Sequence, residues 1–248
     1  MRLCVIGCGN VGRIIAKAVD EGTLRVDLRY YDRNPEKCEE LGKPYAKNFE
    51  EFLEGCDIVL EAASPQAVKE LGPKVLEKAD LIVLSVGALL DEGLLKELLE
   101  IAEKNDKRIY VPSGAIAGLD AIKALSLVGI KEITLVTTKN PKALGVDVKE
   151  RKVLFEGEAK EAVKRFPFNV NVVAALSLAA KKPAKVKIVA DPNVDKNIHE
   201  IYVKSEASDL YIRVENVPSP MNPRTSYLAA LSVIELIKEM GERLKVGT

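Results

Sequence analysis

The sequence predicts an α/β protein in which a doubly wound parallel sheet is followed by a second, smaller α+β domain with a largely antiparallel sheet. Strand-like and helix-like segments alternate as far as Pro112, and this order predicts parallel strands joined by right-handed crossovers. After Pro112, runs with period-two alternation lie close together in the chain, which is typical of antiparallel strands. A helical pattern closes the chain, and we expect that helix to return to the first domain.

In the first domain, short apolar runs predict the strands, and apolar residues at helical spacing predict the helices. The helix after the first strand has its apolar positions at Val11, Ile14, Ile15 and Ala18. We predict strands over residues 2–6, 26–31, 57–62, 81–86 and 108–111, and helices over residues 10–19 and around 94–102.

In the second domain, turn residues separate the last three predicted strands, so we expect these strands to form an antiparallel meander. The predicted helices cover residues 116–127 and 171–180, and the predicted strands cover 132–138, 185–190, 197–204 and 210–215. Pro218, Pro220 and Pro223 predict a stiff linker before a closing helix over residues 225–240. The predicted divisions are residues 1–111 for the doubly wound domain, 112–216 for the α+β domain, and 217–248 for the segment that packs back on the first domain.

Composition and charge exclude several classes of function. The 248 residues contain 37 Lys and Arg against 37 Asp and Glu, and a net charge of zero argues against a protein that binds nucleic acid by neutralising phosphates. The longest nearly apolar stretch, Leu81 to Leu90, is about half the length of a membrane span. Met1 leads directly into the first strand without a cleavable leader. We therefore expect a cytoplasmic protein with no nucleic-acid or membrane partner.

The four cysteines, Cys4, Cys8, Cys38 and Cys56, lie in the first quarter of the chain, with no Cys-x-x-Cys pair and no histidine nearby. This spacing disfavours a zinc site, and the expected compartment disfavours disulfides. We therefore interpret the cysteines as small buried hydrophobic residues and expect no metal site. Lys and Glu dominate the charge while Gln occurs only at Gln66, a bias typical of heat-adapted proteins.

A glycine-rich turn joins the first strand to the first helix and has the sequence Gly7-Cys8-Gly9-Asn10-Val11-Gly12. Its first glycine permits a tight turn, its second admits a pyrophosphate close to the backbone, and its third allows the helix to pack closely on the strand. Phosphates then lie against unpaired amide groups at the helix N-terminus, where the helix dipole favours negative charge. The motif and its place in the element order predict a Rossmann domain that binds a dinucleotide.

The residues that follow the second strand bear on which dinucleotide binds. Asp32 ends that strand twenty residues after Gly12, where a carboxylate accepts hydrogen bonds from both ribose hydroxyls. The same carboxylate repels a ribose 2′-phosphate, which favours NAD over NADP. Arg33 follows directly and could stack on adenine, pair with a 2′-phosphate, or remain a solvated surface residue. We therefore expect NAD, with NADP as the alternative.

The single histidine of the chain, His199, lies near the start of a predicted strand. Period-two alternation places it on the apolar face with Ile201 and Val203, which is also the pattern of an ordinary core histidine. Its side chain is the one in this sequence with an ordinary pKa near neutrality, the property that general acid–base catalysis needs. Both interpretations remain open from the residues alone.

Four spaced segments resemble the signatures of the L-aspartate dehydrogenases, and together with the glycine motif they cover the chain in the order of that family. They are Ser113-Gly114-Ala115-Ile116-Ala117-Gly118-Leu119-Asp120, Phe166-Pro167-Phe168-Asn169-Val170-Asn171-Val172, Asn197-Ile198-His199-Glu200-Ile201 and Asn222-Pro223-Arg224-Thr225-Ser226. The resemblance implies a Rossmann domain, a catalytic α/β domain, a closing helix that returns to the first domain, and a homodimer. It also implies oxidative deamination of L-aspartate to iminoaspartate, then oxaloacetate and ammonia, and the reverse reductive amination.

When the functional residues of the family are transferred to the matching positions of this sequence, the resemblance implies that His199 is the catalytic residue. It implies nicotinamide contacts at Ala115 and at Asn169 or Asn171, and the sequence does not choose between these asparagines, because either also suits a helix N-cap. Iminoaspartate links the family to NAD biosynthesis, which implies a partner enzyme of quinolinate formation.

A dicarboxylic amino acid requires cationic or amide donors, because the free energy of desolvating two carboxylates without partners exceeds the free energy gained by binding. The segment Thr137-Thr138-Lys139-Asn140-Pro141 departs from the family form with Arg before Lys, so the carboxylate-binding cation is not fixed by the resemblance. Our candidates for substrate binding are Ser113, Thr138, Lys139 and Asn197.

Two rival functions remain in view. A related two-domain reductase of the dihydrodipicolinate reductase or homoserine dehydrogenase type has a similar architecture, but the former has a His-His pair that this chain lacks. A non-catalytic module that senses NAD(H) is a rival of a different class.

Overall fold

The computed structural model describes residues 1–166, 170–219 and 222–247. The chain forms two compact units. The first consists of Met1–Pro112 with Leu236–Lys238, and the second consists of Ser113–Glu235 with Glu239–Thr248. No helix in the described ranges is long and apolar enough to cross a membrane.

The first unit contains a five-stranded sheet in the order β2-β1-β3-β4-β5, and all its neighbouring strands are parallel. Its strands are β1 (Arg2–Ile6), β2 (Asp27–Tyr31), β3 (Ile58–Glu61), β4 (Asp80–Val83) and β5 (Ile109–Tyr110). Its helices are α1 (Asn10–Asp20), α2 (Pro35–Leu41), α3 (Phe49–Leu53), α4 (Pro65–Leu76) and α5 (Glu92–Lys104), with a 3₁₀ helix at Val86–Leu90. The predicted doubly wound sheet is confirmed.

Local sequence signals explain where the helices of this unit begin. Asn34, Asn48, Ser64 and Asp91 each accept a hydrogen bond from a backbone N–H in the first turn of α2, α3, α4 and α5. Helix α1 differs, because its N-cap residue is Gly9 and no side-chain hydrogen bond caps it within the part of the chain that the structure describes. The first turn of α1 therefore retains backbone N–H groups for another acceptor.

The second unit contains a five-stranded mixed sheet in the order β10-β9-β6-β8-β7, in which β6 and β8 are parallel and the other pairs are antiparallel. Its strands are β6 (Ile130–Lys139), β7 (Lys152–Glu158), β8 (Lys185–Ala190), β9 (Asn197–Ser205), β10 (Asp209–Asn216), β11 (Pro218–Ser219) and β12 (Asn222–Ser226). Its helices are α6 (Leu119–Leu125), α7 (Pro141–Leu144), α8 (Ala159–Arg165) and α9 (Val170–Ala180), and α10 (Tyr227–Gly241) has residues in both units. The prediction of a second, largely antiparallel α+β unit is confirmed.

Two details of the predicted second unit are wrong. The last three large strands do not form a meander, because β6 lies between β8 and β9. Hydrophobic alternation predicts that a segment is a strand, but it does not predict which strands pair with it in the sheet. The proline-rich segment is not a linker, since β11 and β12 pair in an antiparallel ribbon. Such a two-stranded ribbon has open edges, where proline's missing N–H is tolerated.

One face of the second sheet carries the core of its unit. Ile133 and Leu135 of β6 and Ile201 and Val203 of β9 are buried there, in one cluster with apolar residues of α6, α8 and α9. Strand alternation places His199 on this same face, as predicted.

The interpretation of the four cysteines as free buried residues is wrong. Cys4 pairs with Cys56 and Cys8 with Cys38, so the first unit contains two disulfides. The bonded cysteines lie 52 and 30 residues apart, and such separations give no local pattern that a sequence reading detects. Intracellular proteins of hyperthermophiles are an exception to the rule that disulfides belong to oxidising compartments.

We expect reduction of these disulfides to destabilise the first unit. Closed loops of 52 and 30 residues each remove about 4 kcal/mol of unfolded-chain entropy in the simplest model, and the nested loops contribute less than the sum. In a protein of this size, a loss of that order lowers the thermal midpoint by about 10 °C. Calorimetric scans with and without a reductant measure the shift. If the unfolded, unreduced protein titrates with four free thiols, the expectation is wrong.

Candidate active site

The glycine-rich turn of the first unit has the backbone that close approach of a phosphate requires. Gly7 has φ +110°, and a Cβ there would lie 2.7 Å from the carbonyl oxygen of Ala62. A Cβ on Gly12 would collide with the carbonyl oxygen of Gly7. A Cβ on Gly9, in contrast, would meet nothing within 4 Å, so the space beside this residue is open. The first and third glycines are therefore needed for packing, while the second leaves room for a ligand.

The open side of Gly9 lies at the uncapped N-terminus of α1. Asn10 and Val11 are the first residues of this helix, and its first backbone bond runs from Arg13 N–H to the carbonyl oxygen of Gly9. The N–H groups of the first turn thus have no acceptor within the helix. A diphosphate supplies acceptors and negative charge where the helix dipole favours them, so these residues fit a dinucleotide.

Asp32 lies directly beside the glycine-rich turn. One of its carboxylate oxygens accepts a hydrogen bond from the Cys8 N–H at 3.0 Å, and the other accepts one from the Asn34 N–H at 2.9 Å. These bonds orient the carboxylate and leave further lone pairs for ribose hydroxyls. The neighbouring Arg33 pairs with Glu70 of α4.

The carboxylate of Glu61 was missed by our reading of the sequence. It ends β3, is 1% exposed, and accepts hydrogen bonds of 2.8–2.9 Å from the N–H groups of Ala63, Ser64 and Ser85 and from the Ser85 hydroxyl. Burial raises its pKa, and the hydrogen bonds oppose that shift. Glu61 fixes the β3–α4 turn against which Gly7 packs. A carboxylate at the end of the apolar run Ile58-Val59-Leu60 is the signal that could have revealed it.

In the second unit, His199 faces Thr137 across the β6–β9 pair. The imidazole is 3% exposed, and its Nδ1 atom lies 3.0 Å from the Thr137 hydroxyl oxygen. Burial, followed by the positive charge of Lys139, lowers the pKa of His199 to about 3. This lowered pKa disagrees with the expectation of a group that titrates near pH 7.

Lys139 ends β6 two residues after Thr137, so strand alternation places its side chain on the same face as His199. It is 8% exposed, and burial lowers its pKa. Among the residues that the structure describes, none forms a hydrogen bond or salt bridge with its ammonium group. A buried cation without a partner is costly, and an anionic ligand would satisfy it.

Asn216 joins this polar end of the sheet to the segment that contains Ala115. It ends β10, is 2% exposed, and its Nδ2 atom donates a 3.0 Å hydrogen bond to the carbonyl oxygen of Ala115. Its Oδ1 atom accepts a hydrogen bond from the Ser226 hydroxyl. The N–H of Gly114 donates to the Ser232 hydroxyl oxygen at 3.0 Å. Asn216 was also missed, since an asparagine at the end of a strand usually indicates only a turn.

The structure brings together some of the predicted substrate-binding residues and separates others. Lys139 and Asn197 share the face of His199, and Asn197 lies opposite Asn216 in the register. Thr138 points to the opposite face because it alternates with Thr137, and Thr137 takes the place we had expected for Thr138. Ser113 begins the second unit and is partly buried.

Of the two asparagines expected near nicotinamide, Asn171 is exposed in the first turn of α9. Asn169 lies outside the described residues.

Comparisons with known proteins identify the family. Residues 120–240 match the family "Aspartate dehydrogenase, C-terminal", and residues 7–112 match "Homoserine dehydrogenase, NAD binding domain". The chain is 44% identical to the L-aspartate dehydrogenase of Methanothermobacter thermautotrophicus over 100% of this chain and 99% of that relative. It is 46% identical to the L-aspartate dehydrogenase of Methanospirillum hungatei, with 100% of both chains covered. The chain belongs to the L-aspartate dehydrogenase family.

The fold agrees with this membership. A crystal structure of an aspartate dehydrogenase from Thermotoga maritima matches with a TM-score of 0.84 and 31% identity, over 100% of this chain and 99% of that chain. The predictions of the aspartate dehydrogenase family, of the fold class and of a dehydrogenase that uses a pyridine nucleotide are confirmed.

We expect the imidazole of this family member to remain neutral at every pH where ligand-free protein is ordinarily handled. An NMR titration from pH 8 to 5 should show no change in the C2–H shift of His199, which is the single histidine and gives a single signal. Between the ordinary pKa of about 6.5 and the folded value of about 3, the unfolded chain binds a proton that the folded chain does not. The free energy of unfolding therefore falls as the pH falls through this window. A midpoint near pH 6.5 would contradict the expectation.

Proposed function

We propose that this chain oxidises L-aspartate to iminoaspartate with a pyridine nucleotide, hydrolyses the imine to oxaloacetate and ammonia, and catalyses the reverse reductive amination. The observation that carries the proposal is the polar end of the second sheet, where a buried imidazole shares one face with a buried ammonium that has no partner among the described residues. The base suits proton transfer during the reaction, and the cation suits a carboxylate of the substrate.

His199 is the base in this proposal. If its Nδ1 donates a hydrogen bond to Thr137, the lone pair lies on Nε2, which is then free to accept a proton. During deamination, Nε2 accepts a proton from the water that attacks the imine carbon, and it returns that proton to the departing amine. Thr137 thus acts as a positioning residue that orients the imidazole ring.

Lys139 binds a substrate carboxylate in this proposal. A carboxylate paired with Lys139 offsets the positive charge that lowers the pKa of His199. The pKa of the imidazole then rises from about 3 toward its ordinary value, although burial still opposes the rise. Substrate binding and activation of the base are thereby coupled. Asn197 is placed to add an amide donor, and Ser113 remains a further candidate for substrate binding.

For the cofactor we propose NAD, with NADP as the weaker alternative. When bound, the nicotinamide supplies hydride transfer, and the chain supplies the groups that hold it. Gly9, Asn10 and Val11 hold the pyrophosphate, and Asp32 holds the adenosine ribose. Ala115 and either Asn169 or Asn171 contact the nicotinamide, as the family resemblance implies.

We also propose a cytoplasmic homodimer whose product passes to an enzyme of quinolinate formation in NAD biosynthesis. Exposed apolar side chains support association through the closing helix and the β9–β10 pair. These side chains are Tyr227, Leu228 and Leu231 on α10, and Tyr202 and Tyr211 on the sheet. The two disulfides agree with a cytoplasmic enzyme if the source is heat-adapted, as the Lys and Glu bias indicates.

Replacement of His199 tests the catalytic assignment. We expect His199→Asn, which retains a donor toward Thr137 but has no basic nitrogen, to lower kcat about 100-fold or more while the Kd for NADH stays within about twofold of wild type. The assay follows NADH absorbance with oxaloacetate and ammonium. A kcat of His199→Asn within about threefold of wild type would show that His199 is a core residue without a catalytic role.

The same assay separates the rival functions. A wild-type protein that binds NADH but gives a flat trace would be a sensor rather than an enzyme. Faster turnover of homoserine or glutamate than of aspartate would overturn the choice of substrate.

Replacement of Lys139 tests the carboxylate site. We expect Lys139→Met to raise the KM for aspartate about 10- to 100-fold, because a charge-assisted hydrogen bond is lost and a similar volume is kept. Removal of the cation should also raise the pKa of His199 in the NMR titration of the ligand-free protein. Lys142→Met, at an exposed position of α7, is the matched control. An unchanged KM for Lys139→Met would remove Lys139 from the substrate site.

A further inference from the structure

Arg33 is paired rather than free. Its guanidinium contacts the carboxylate of Glu70, and the other oxygen of that carboxylate accepts a 2.7 Å hydrogen bond from the Gln66 amide. Gln66 and Glu70 lie one turn apart on α4, so their side chains are neighbours on the helix surface. Glu70 is therefore held in place on the side opposite to the arginine.

The positions of these residues in the sheet relate the ion pair to the adenosine end of a dinucleotide. Arg33 follows β2, and α4 follows β3, while β1 lies between these strands and leads into the glycine-rich turn. In an open parallel sheet, ligands bind beyond the carboxyl ends of the strands where the strand order reverses, which here is between β1 and β3. The Arg33–Glu70 pair thus links the turn that follows β2 to helix α4.

We propose that Glu70 determines the choice between NAD and NADP by withholding Arg33 from a ribose 2′-phosphate. The inference rests on the proposed dinucleotide function and deepens its preference for NAD. Asp32 lies one residue from Arg33, and its carboxylate opposes a 2′-phosphate directly. Arg33 is the adjacent cation that could compensate for this repulsion, since guanidinium groups bind phosphate with paired hydrogen bonds. While Glu70 neutralises Arg33, a 2′-phosphate meets the Asp32 carboxylate, and the adjacent guanidinium is already paired.

The ion pair is exposed enough to be exchanged for another anion. The side chains of Arg33 and Glu70 are 62% and 41% exposed, so the pair itself contributes little to stability. Loss of the Glu70 charge should therefore change anion selectivity without unfolding the first unit. Glutamine at this position keeps the shape and a hydrogen bond to Gln66 but removes the competing charge.

Direct binding measurements without substrate test the proposal. Fluorescence titrations give the Kd for NADH and for NADPH, and calorimetry compares adenosine 2′,5′-bisphosphate with AMP. We expect Glu70→Gln to lower the Kd for NADPH and for the bisphosphate about tenfold, because a charge-assisted contact to Arg33 becomes available. The Kd for NADH should change by less than about twofold. Adding Arg33→Ala to Glu70→Gln should abolish the gain.

A matched control separates this effect from a change in net charge. Glu100→Gln removes the same charge from another exposed ion pair of the first unit, with Lys96 on α5, and should leave the ratio of the two Kd values unchanged. The inference would be overturned if Glu70→Gln left the ratio of the two Kd values unchanged, or if its gain in NADPH affinity persisted when Arg33→Ala was added. Either result would leave the proposed dinucleotide site standing. A wild-type protein that binds NADPH as tightly as NADH would overturn both the inference and the NAD preference. Failure of the wild-type protein to bind either nucleotide would refute the proposed function itself.

Discussion

The antiparallel register between β6 and β9 is the constraint on which the chemistry that we propose for this protein depends. It places Thr137 opposite His199, and two residues further along the same face it places Lys139. A shift of one residue in β6 would turn Thr137 and Lys139 to the other face and bring Thr138 beside the imidazole. The apolar residues that precede them, Ile133 and Leu135, oppose such a shift because they would leave the core. The packing of the core therefore fixes the relative positions of His199 and Lys139.

The two units use polar groups at strand ends in different ways. In the first, the carboxylate of Glu61 accepts four hydrogen bonds from backbone N–H groups and a hydroxyl. It therefore stabilises the two turns that donate them and has little remaining capacity to accept hydrogen bonds from a ligand. In the second, the ammonium of Lys139 is buried without a partner among the described residues. Both arrangements bury a group that ionises in water, but only the second leaves a requirement that a ligand must meet. This difference is the reason why we propose a structural role for Glu61 and a binding role for Lys139.

The sequence predicts individual elements better than their relations. Residue pattern predicts β1 and β8 with the observed bounds, because β1 is a short apolar run and β8 has alternating character, and most side chains of both are buried. It does not predict that β6 separates β8 from β9, since strand order depends on contacts distant in sequence. The sequence does not predict the Cys8–Cys38 disulfide for the same reason. At the site, the sequence singles out His199 as its one histidine but leaves its role open without the family resemblance, and the lowered pKa of His199 depends on burial and on Lys139, which only the fold brings near.

The lowered pKa of His199 has a consequence for selectivity. An imidazole with a pKa of about 3 is a weak base, and a ligand that leaves Lys139 unpaired leaves it weak. In the proposed mechanism, a ligand that places a carboxylate on Lys139 brings a negative charge beside the imidazole, and His199 becomes a stronger base. An amino acid has one carboxylate next to its reacting carbon, and aspartate has a second. If orientation of the reacting carbon requires one carboxylate elsewhere, only the diacid has another for Lys139. Selection for a dicarboxylate would then operate through the rate of proton transfer as well as through affinity.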